Sequence, residues 1–186
     1  RTAQATGFTR SYWLYMLAGS CFAAGLLSFE LISYLLSSKG IVTQHWIPIF
    51  LALSTGMGVI ASLILGKLFD RIGLPIVLVA VFLSALFSPF VFLGGFFVAL
   101  FGMMLWGIGY ATQDTLLKAI IAGVLPEGRR NLAFGLFYLG YGAGWLVGSV
   151  TAGLLYERSL PLLIVFSVAV QLTSIPVFFV AQRTNR

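Results

Sequence analysis

Charged residues are scarce in this chain. Only 9% of its 186 residues are charged, whereas 60% are hydrophobic. A soluble domain normally has about a quarter of its residues charged, so this composition excludes a soluble domain. The mean hydropathy of +1.03 is spread along the whole length and predicts an integral membrane protein with several transmembrane helices.

Cysteine and histidine are scarcer still. Cys21 is the only cysteine, so the chain can form no intrachain disulfide. His45 is the only histidine, and we expect it to be an exposed loop residue. Metal sites and histidine-based catalytic sites need several such groups close together. We therefore predict no metal, no other cofactor and no enzymatic activity.

Long apolar runs occupy most of the sequence. A transmembrane helix needs about 20 apolar residues to cross roughly 30 Å of hydrocarbon, and six segments meet this requirement. Gly94 and Gly95 separate the third segment from the fourth. The predicted fold is an all-α domain over residues 1–186 with six spans: Ser11 to Ser37, Trp46 to Leu65, Leu74 to Leu93, Phe96 to Leu125, Leu132 to Tyr156 and Leu160 to Ala181.

The basic residues divide unequally between the two ends of these spans. Eight lie on one side, namely Arg1, Arg10, Lys67, Arg71, Arg129, Arg130, Arg183 and Arg186. The other side has only Lys39 and Arg158. The positive-inside rule then places both termini in the cytoplasm. We expect the chain to be an integral protein of the plasma (inner) membrane. The net charge of +6 therefore indicates topology, with anchoring to anionic lipids as a compatible alternative, and not nucleic-acid binding. Tyr12, Trp13 and Tyr15 are expected at the membrane interface.

Small residues recur every fourth position on two spans. They are Ser54, Gly58, Ser62 and Gly66 on span two, and Gly140, Gly144, Gly148 and Ala152 on span five. Such faces let helix backbones approach closely, either as ordinary packing or as surfaces that rock during transport. The six spans also divide into two sets of three with opposite topology, Ser11 to Leu93 and Phe96 to Ala181, which predicts a 3+3 inverted repeat.

The sequence between spans two and three carries a charged motif. It reads Gly66-Lys67-Leu68-Phe69-Asp70-Arg71-Ile72-Gly73, in which the glycines permit a tight turn and Asp70 could cap a helix. The order Gly-x-Leu-x-Asp-Arg-x-Gly resembles the signature loop of the major facilitator superfamily of secondary transporters. Two basic residues often follow in that family, whereas Leu74 and Pro75 stand here.

A second motif agrees with this resemblance. Pro126-Glu127-Gly128-Arg129-Arg130, followed by a small-residue-rich span, resembles the family's loop between helices four and five of a half. Family members have twelve helices in two halves, so the resemblance implies a six-helix half. The weaker signature implies the C-terminal half, with residues 1–10 as the end of the central linker. The partner would then be an N-terminal half or a second copy of the chain, and Asp70 would face a helix N-terminus there.

Span four carries an unusual polar stripe. Trp106, Tyr110, Asp114 and Lys118 recur every four residues, and Gln113 falls within the same arc. Asp114 and Lys118 have the favourable order for an i,i+4 ion pair, which would satisfy both charges structurally. Alternatively, the stripe lines a central water-filled cavity and binds a polar or charged solute. In the resembled family, helices one and four of each half line that cavity.

Glu30 is the remaining intramembrane carboxylate, on span one. It could carry a proton, pair with Lys39, or reach the outer interface. The sequence thus predicts half of a secondary transporter for a small polar or amphipathic solute, with proton coupling resting on Asp114 and Glu30. The alternatives are a self-associating six-helix membrane module and a homomeric channel without carrier activity.

Overall fold

The computed structural model describes residues 9–124, 128 and 130–184. All regular secondary structure within these ranges is helical, as the sequence predicts. The α-helices are α1 (Arg10–Leu26), α2 (Phe29–Ser38), α3 (Ile47–Ile72), α4 (Leu74–Ala85), α5 (Phe87–Leu93), α6 (Gly95–Ala111), α7 (Leu117–Gly123), α8 (Arg130–Arg158) and α9 (Leu160–Thr184). A 3-10 turn covers Gln44–Trp46, and a π-helical turn covers Thr112–Leu116. Several residues on which the sequence predictions drew lie outside the described ranges, namely residues 1–8 of the predicted linker, Leu125, Pro126, Glu127, Arg129 and Arg186.

In the described part of the chain these elements form six helices long and apolar enough to cross a membrane. They are Arg10–Ser38, Gln44–Ile72, Leu74–Leu93, Gly95–Gly123, Arg130–Arg158 and Leu160–Thr184, called spans one to six below. The predicted six-helix membrane architecture is therefore confirmed. The chain turns between spans three and four at Gly94 and Gly95, where Gly95 has a φ of 83°.

Span two is longer than predicted, because α3 continues through the charged motif to Ile72. Basic residues such as Arg71 are favourable near a helix C-terminus, where they offset the helix dipole. Gly73 then ends the helix with a φ of 86°, and its N–H donates to the carbonyl of Phe69 at 2.8 Å. The predicted turn is thus confined to Gly73, and Gly66 and Asp70 are helical.

Span one is broken in its second half, at Leu27 and Ser28. Leu27 has a φ of 65° and a ψ of 149°, a region that is essentially reserved for glycine. Ser28 restarts the helix by accepting a hydrogen bond from the Leu31 N–H at 3.3 Å. Such a conformation costs of order 1–3 kcal/mol and persists only where surrounding contacts hold it.

The small-residue face of span five packs against span one. A Cβ at Gly144 would collide with the Ser20 carbonyl, and a Cβ at Gly148 would collide with the Ala24 carbonyl. The Ser20 hydroxyl also donates to the Gly140 carbonyl at 2.9 Å. These contacts need residues without side chains, as the predicted stripe implies.

The small-residue face of span two packs against span four in the same way. A Cβ at Gly107 would collide with the Ser54 carbonyl, and a Cβ at Gly58 would lie 3.3 Å from the Gly107 carbonyl. The Ser54 hydroxyl donates to the carbonyl of Met103 at 2.8 Å. Gly66, at the end of the stripe, has open space around it.

Hydrogen bonds join the beginnings and ends of the spans at one end of the bundle. The Ser11 hydroxyl donates to the Ala181 carbonyl at 3.2 Å, and the Tyr12 hydroxyl donates to the Ala133 carbonyl. Tyr12 and Tyr15 are buried in the core, so the prediction of an interfacial aromatic belt is wrong for these two residues. Burial is possible because a backbone carbonyl satisfies the Tyr12 phenol. Trp13 is about half exposed, at 48%.

Candidate functional site

A cavity of about 600 Å³ lies between spans one, two, four and five. This is within the size range of small-molecule sites, which is about 300–1,000 Å³. Most of its described lining is apolar, aromatic or small and hydroxyl-bearing, with two carboxylates. The lining residues are Phe29, Glu30, Leu51, Ser54, Thr55, Gly58, Val59, Ser62, Trp106, Gly107, Tyr110, Ala111, Asp114 and Trp145.

One wall of the cavity is a series of aromatic rings. The ring centres of Phe29 and Trp106 are 6.0 Å apart, and those of Trp106 and Tyr110 are stacked 5.6 Å apart. Trp106 is only 4% exposed, whereas Tyr110 is 47% exposed. Trp145 adds a ring from span five. Aromatic rings therefore reach the cavity from three spans.

The break in span one brings part of this wall into place. The indole N–H of Trp106 donates to the carbonyls of Leu26 and Leu27, both at 3.1 Å. These carbonyls lack helical partners because the helix stops there. Beyond the break, Phe29 and Glu30 lie in the first turn of α2 and face the cavity. Trp106 thus both supports the break and lines the cavity.

Two residues of span six support the same break. The Gly25 carbonyl accepts from the Ser167 hydroxyl at 2.6 Å and from the Gln171 side-chain amide at 2.9 Å. The Gln171 side-chain carbonyl in turn accepts from the Ser84 hydroxyl of span three at 3.1 Å. The sequence predictions missed this network. Gln171 could have been found by the rule that singled out Asp114, because a polar side chain inside a membrane span needs a partner.

Asp114 and Lys118 form the predicted i,i+4 ion pair, with 3.2 Å between the Lys118 Nζ and the Asp114 carboxylate. The side chains of Lys118 and Asp114 are 46% and 64% exposed. Asp114 lines the cavity. Lys118 instead lies over the ring of Tyr138 on span five, 5.9 Å from its centre, and is not among the described lining residues. The π-helical turn at Thr112–Leu116 interrupts the four-residue repeat here.

The other two predicted polar residues lie in different surroundings. Glu30 is exposed to the cavity. Among the described residues it forms no ion pair with Lys39, which lies over the Tyr156 ring at 5.6 Å. Gln113 is half-buried and outside the described lining, and its side-chain carbonyl has no hydrogen-bond partner within the described ranges.

The charged motif lies beyond the cavity, at the end of α3. Ser62 lines the cavity, and Gly66 follows one helical turn later. Asp70 and Arg71 are exposed. The N-terminus of α4, next along the chain, has no side-chain cap, so Asp70 does not cap it. No group of three His, Cys, Asp or Glu residues within the described ranges could hold a metal ion.

Comparison with known proteins identifies relatives in two mycobacteria. Uncharacterized proteins of Mycobacterium bovis and Mycobacterium tuberculosis are each 27% identical to this chain over 168 residues. The matched region covers 90% of this chain but only 41% of each relative, so the chain spans well under half of their length. The family model of the Major Facilitator Superfamily matches residues 11–186. The chain therefore belongs to the major facilitator superfamily of membrane transporters.

Proposed function

We propose that this chain is one six-helix half of a secondary transporter that moves a small polar or amphipathic solute by alternating access. The cavity between spans one, two, four and five carries this proposal, because it combines carboxylates with aromatic and small polar side chains. Asp114 and Glu30 are the two carboxylates in its described lining and the candidates for proton coupling. In this proposal Tyr110 and Trp106 bind the solute alongside them, and Lys118 positions Asp114 through their ion pair.

The packing of the spans supports the proposed 3+3 inverted repeat. In such a repeat, spans one, two and three correspond to spans four, five and six. The contact between spans one and five therefore corresponds to the contact between spans four and two. Both pairs bring a glycine against a backbone carbonyl, Gly148 of span five against Ala24 of span one and Gly58 of span two against Gly107 of span four. The same correspondence relates pair one–six to pair four–three, and both of these pairs are also in contact.

The distribution of basic residues supports cytoplasmic termini. The contact of Ser11 with Ala181 places Arg10 and Arg183 at the same end of the bundle, and Lys39 lies at the opposite end with the final turn of span five. The positive-inside rule makes the former end cytoplasmic. In a Cys21→Ala background, we expect a membrane-impermeant maleimide to label Lys39→Cys in intact cells. Labelling of Lys67→Cys from outside would contradict this orientation.

We also propose that the chain is a C-terminal half and works with an N-terminal half or a second copy. Its match to 41% of the length of the mycobacterial relatives supports a partial transporter. The exposed carboxylate of Asp70 would face a helix N-terminus of the partner, where an anion is favourable. The glycine faces of spans two and five would allow the helices to shift between access states.

Solute counterflow in liposomes tests the carrier function. The purified protein, with its partner half present, should exchange labelled for unlabelled solute on the two sides of the membrane. A homomeric channel would only dissipate gradients, and a self-associating module would do neither. Absence of counterflow with every solute that binds the cavity would refute the carrier proposal. Proton coupling predicts that Glu30→Gln or Asp114→Asn removes proton-driven uptake, and unchanged accumulation in both variants would exclude it.

A further inference from the structure

We propose that the cavity recognises a lipophilic organic cation, meaning a solute with a positive charge surrounded by aromatic or bulky apolar groups. This inference rests on the proposed transport function, because it takes the cavity to be the solute site. Three features of the described lining support it: the sign of its charges, its aromatic rings, and the capped, acidic first turn of α2.

The charged groups of the lining have one sign. Among the described lining residues, Glu30 and Asp114 are acidic and none is basic. Lys118 pairs with Asp114 at 3.2 Å and offsets its charge. Glu30 has no ion-pair partner among the described residues, so it leaves a net negative charge on the wall. A carboxylate in a membrane interior is costly unless a cation approaches it, and a cationic solute would meet this need.

The aromatic rings suit the apolar part of such a solute. A cation is attracted to the face of an aromatic ring within about 6 Å of its centre, most strongly for tryptophan. Tyr110 on span four is 47% exposed and stacks on the nearly buried Trp106, so Tyr110 presents its ring to the cavity. Trp145 on span five provides an indole ring. A solute between spans four and five can therefore contact rings from both.

The beginning of α2, beside the cavity, does not favour an anion. The N-terminus of α2 could otherwise attract an anion, because its dipole is positive. There, however, the Ser28 hydroxyl already accepts from the Leu31 N–H, and Glu30 lies in the first turn. Both features oppose an anion at this point.

Two ions of matched shape provide the test. Tetraphenylphosphonium and tetraphenylborate have the same arrangement of four phenyl groups around opposite charges. We would measure binding of each ion to the purified protein in nonionic detergent by equilibrium dialysis, with protein-free micelles as the blank. We expect saturable binding of tetraphenylphosphonium and none of tetraphenylborate.

Variants with matched controls connect binding to the cavity. Glu30→Gln should weaken tetraphenylphosphonium binding by roughly tenfold, which corresponds to the loss of a partly screened charge contact. Trp145→Leu should weaken it by about threefold to tenfold through the lost ring contact. The controls are Glu157→Gln and Trp13→Leu, which change an exposed carboxylate and a half-exposed indole outside the cavity lining. Both controls should bind the cation as the unmodified protein does.

The outcomes separate the substrate class from the carrier function. Stronger binding of tetraphenylborate, equal binding of both ions, or binding of neither overturns the cation proposal. Equal effects of Glu30→Gln and Glu157→Gln overturn it as well. Counterflow of an anionic solute would refute the cation proposal while leaving the carrier intact. Cation binding that depends on Glu30 supports the proposal even where counterflow fails, and that failure would count against carrier activity alone.

Discussion

Replacing Gln171 by methionine should reduce the free energy of unfolding by at least about 1 kcal/mol, although Gln171 does not line the cavity. Its side-chain amide donates to the Gly25 carbonyl at 2.9 Å and to the Ser167 hydroxyl at 3.3 Å. Its side-chain carbonyl accepts from the Ser84 hydroxyl at 3.1 Å. The residue is completely buried and links spans one, three and six. Methionine is unbranched and of similar length, so it removes these bonds with little change in packing.

The magnitude follows from the two hydrogen bonds that join span six to spans one and three, since the bond to Ser167 lies within span six. In membrane proteins an interhelical hydrogen bond is worth on average ~0.6 kcal/mol, which gives about 1 kcal/mol for two. The Gly25 carbonyl keeps its bond from Ser167 at 2.6 Å, so it is not left unpaired. The Ser84 hydroxyl loses its acceptor, and this cost makes the sum a lower bound.

Steric trapping in bicelles would measure the unfolding free energy reversibly. Thr173→Val provides a matched control on the same span, because the Thr173 hydroxyl is exposed and donates only to the carbonyl of Ala169 in its own helix, at 2.7 Å. The control should change stability by less than about 0.5 kcal/mol. A Gln171→Met protein as stable as the control would show that the network does not hold the break in span one.

Two further predictions concern the glycine faces and the charged motif. Gly148→Val should destabilise the bundle by about 1–3 kcal/mol, because its Cβ would collide with the Ala24 carbonyl. Gly142→Val is the control, since a side chain there extends into open space and should have little effect in the same assay. Equal loss in both variants would contradict the close packing of spans one and five. Asp70→Asn in the complete transporter should lower solute uptake while leaving membrane insertion unchanged, and uptake equal to that of the unmodified protein would remove Asp70 from the mechanism.

Hydropathy predicts the fold well because the bilayer fixes the length of each helix. It does not predict breaks within a span. The break falls at Leu27 and Ser28, neither of which is a helix-breaking residue such as proline or glycine. The local sequence therefore does not predict a break there. Residues distant in sequence hold the break by hydrogen bonding to its free carbonyls, Trp106 from span four and Gln171 from span six. Tertiary partners of this kind cannot be inferred from one sequence alone.

Four lining residues of the candidate site were among the sequence predictions, namely Glu30, Trp106, Tyr110 and Asp114, whereas Phe29 and Trp145 were not. Asp114 and Glu30 are conspicuous because carboxylates are rare inside membrane spans, and the structure places both at one cavity. The predicted stripe continues in phase to Lys118, yet the π-helical turn intervenes and Lys118 packs on Tyr138. Trp145 carries no distinguishing signal, since most aromatic residues in membrane helices face lipid or packed neighbours.

The two spans that carry the carboxylates are interrupted at corresponding positions. Span one begins with a 17-residue helix, α1, and then breaks. Span four also begins with a 17-residue helix, α6, and then continues into the π-helical turn. Under the proposed inverted repeat these spans are equivalent but run in opposite directions through the membrane. The break in span one and the π-helical turn in span four would then lie at opposite depths in the membrane. Glu30 lies beyond the break, and Asp114 lies within the π-helical turn.

This arrangement would allow each side of the membrane to be gated separately. In span one the segment beyond the break is α2, which could move at the outer end while α1 stays packed on span five through Gly144 and Gly148. Spin-label distances would test this independence. A solute that binds the cavity should change the distance from Tyr34 on α2 to Leu162, and should leave that from Trp13 on α1 to Phe179 unchanged. Equal changes in both pairs would mean that span one moves as a rigid unit, and the break would then have no role in gating.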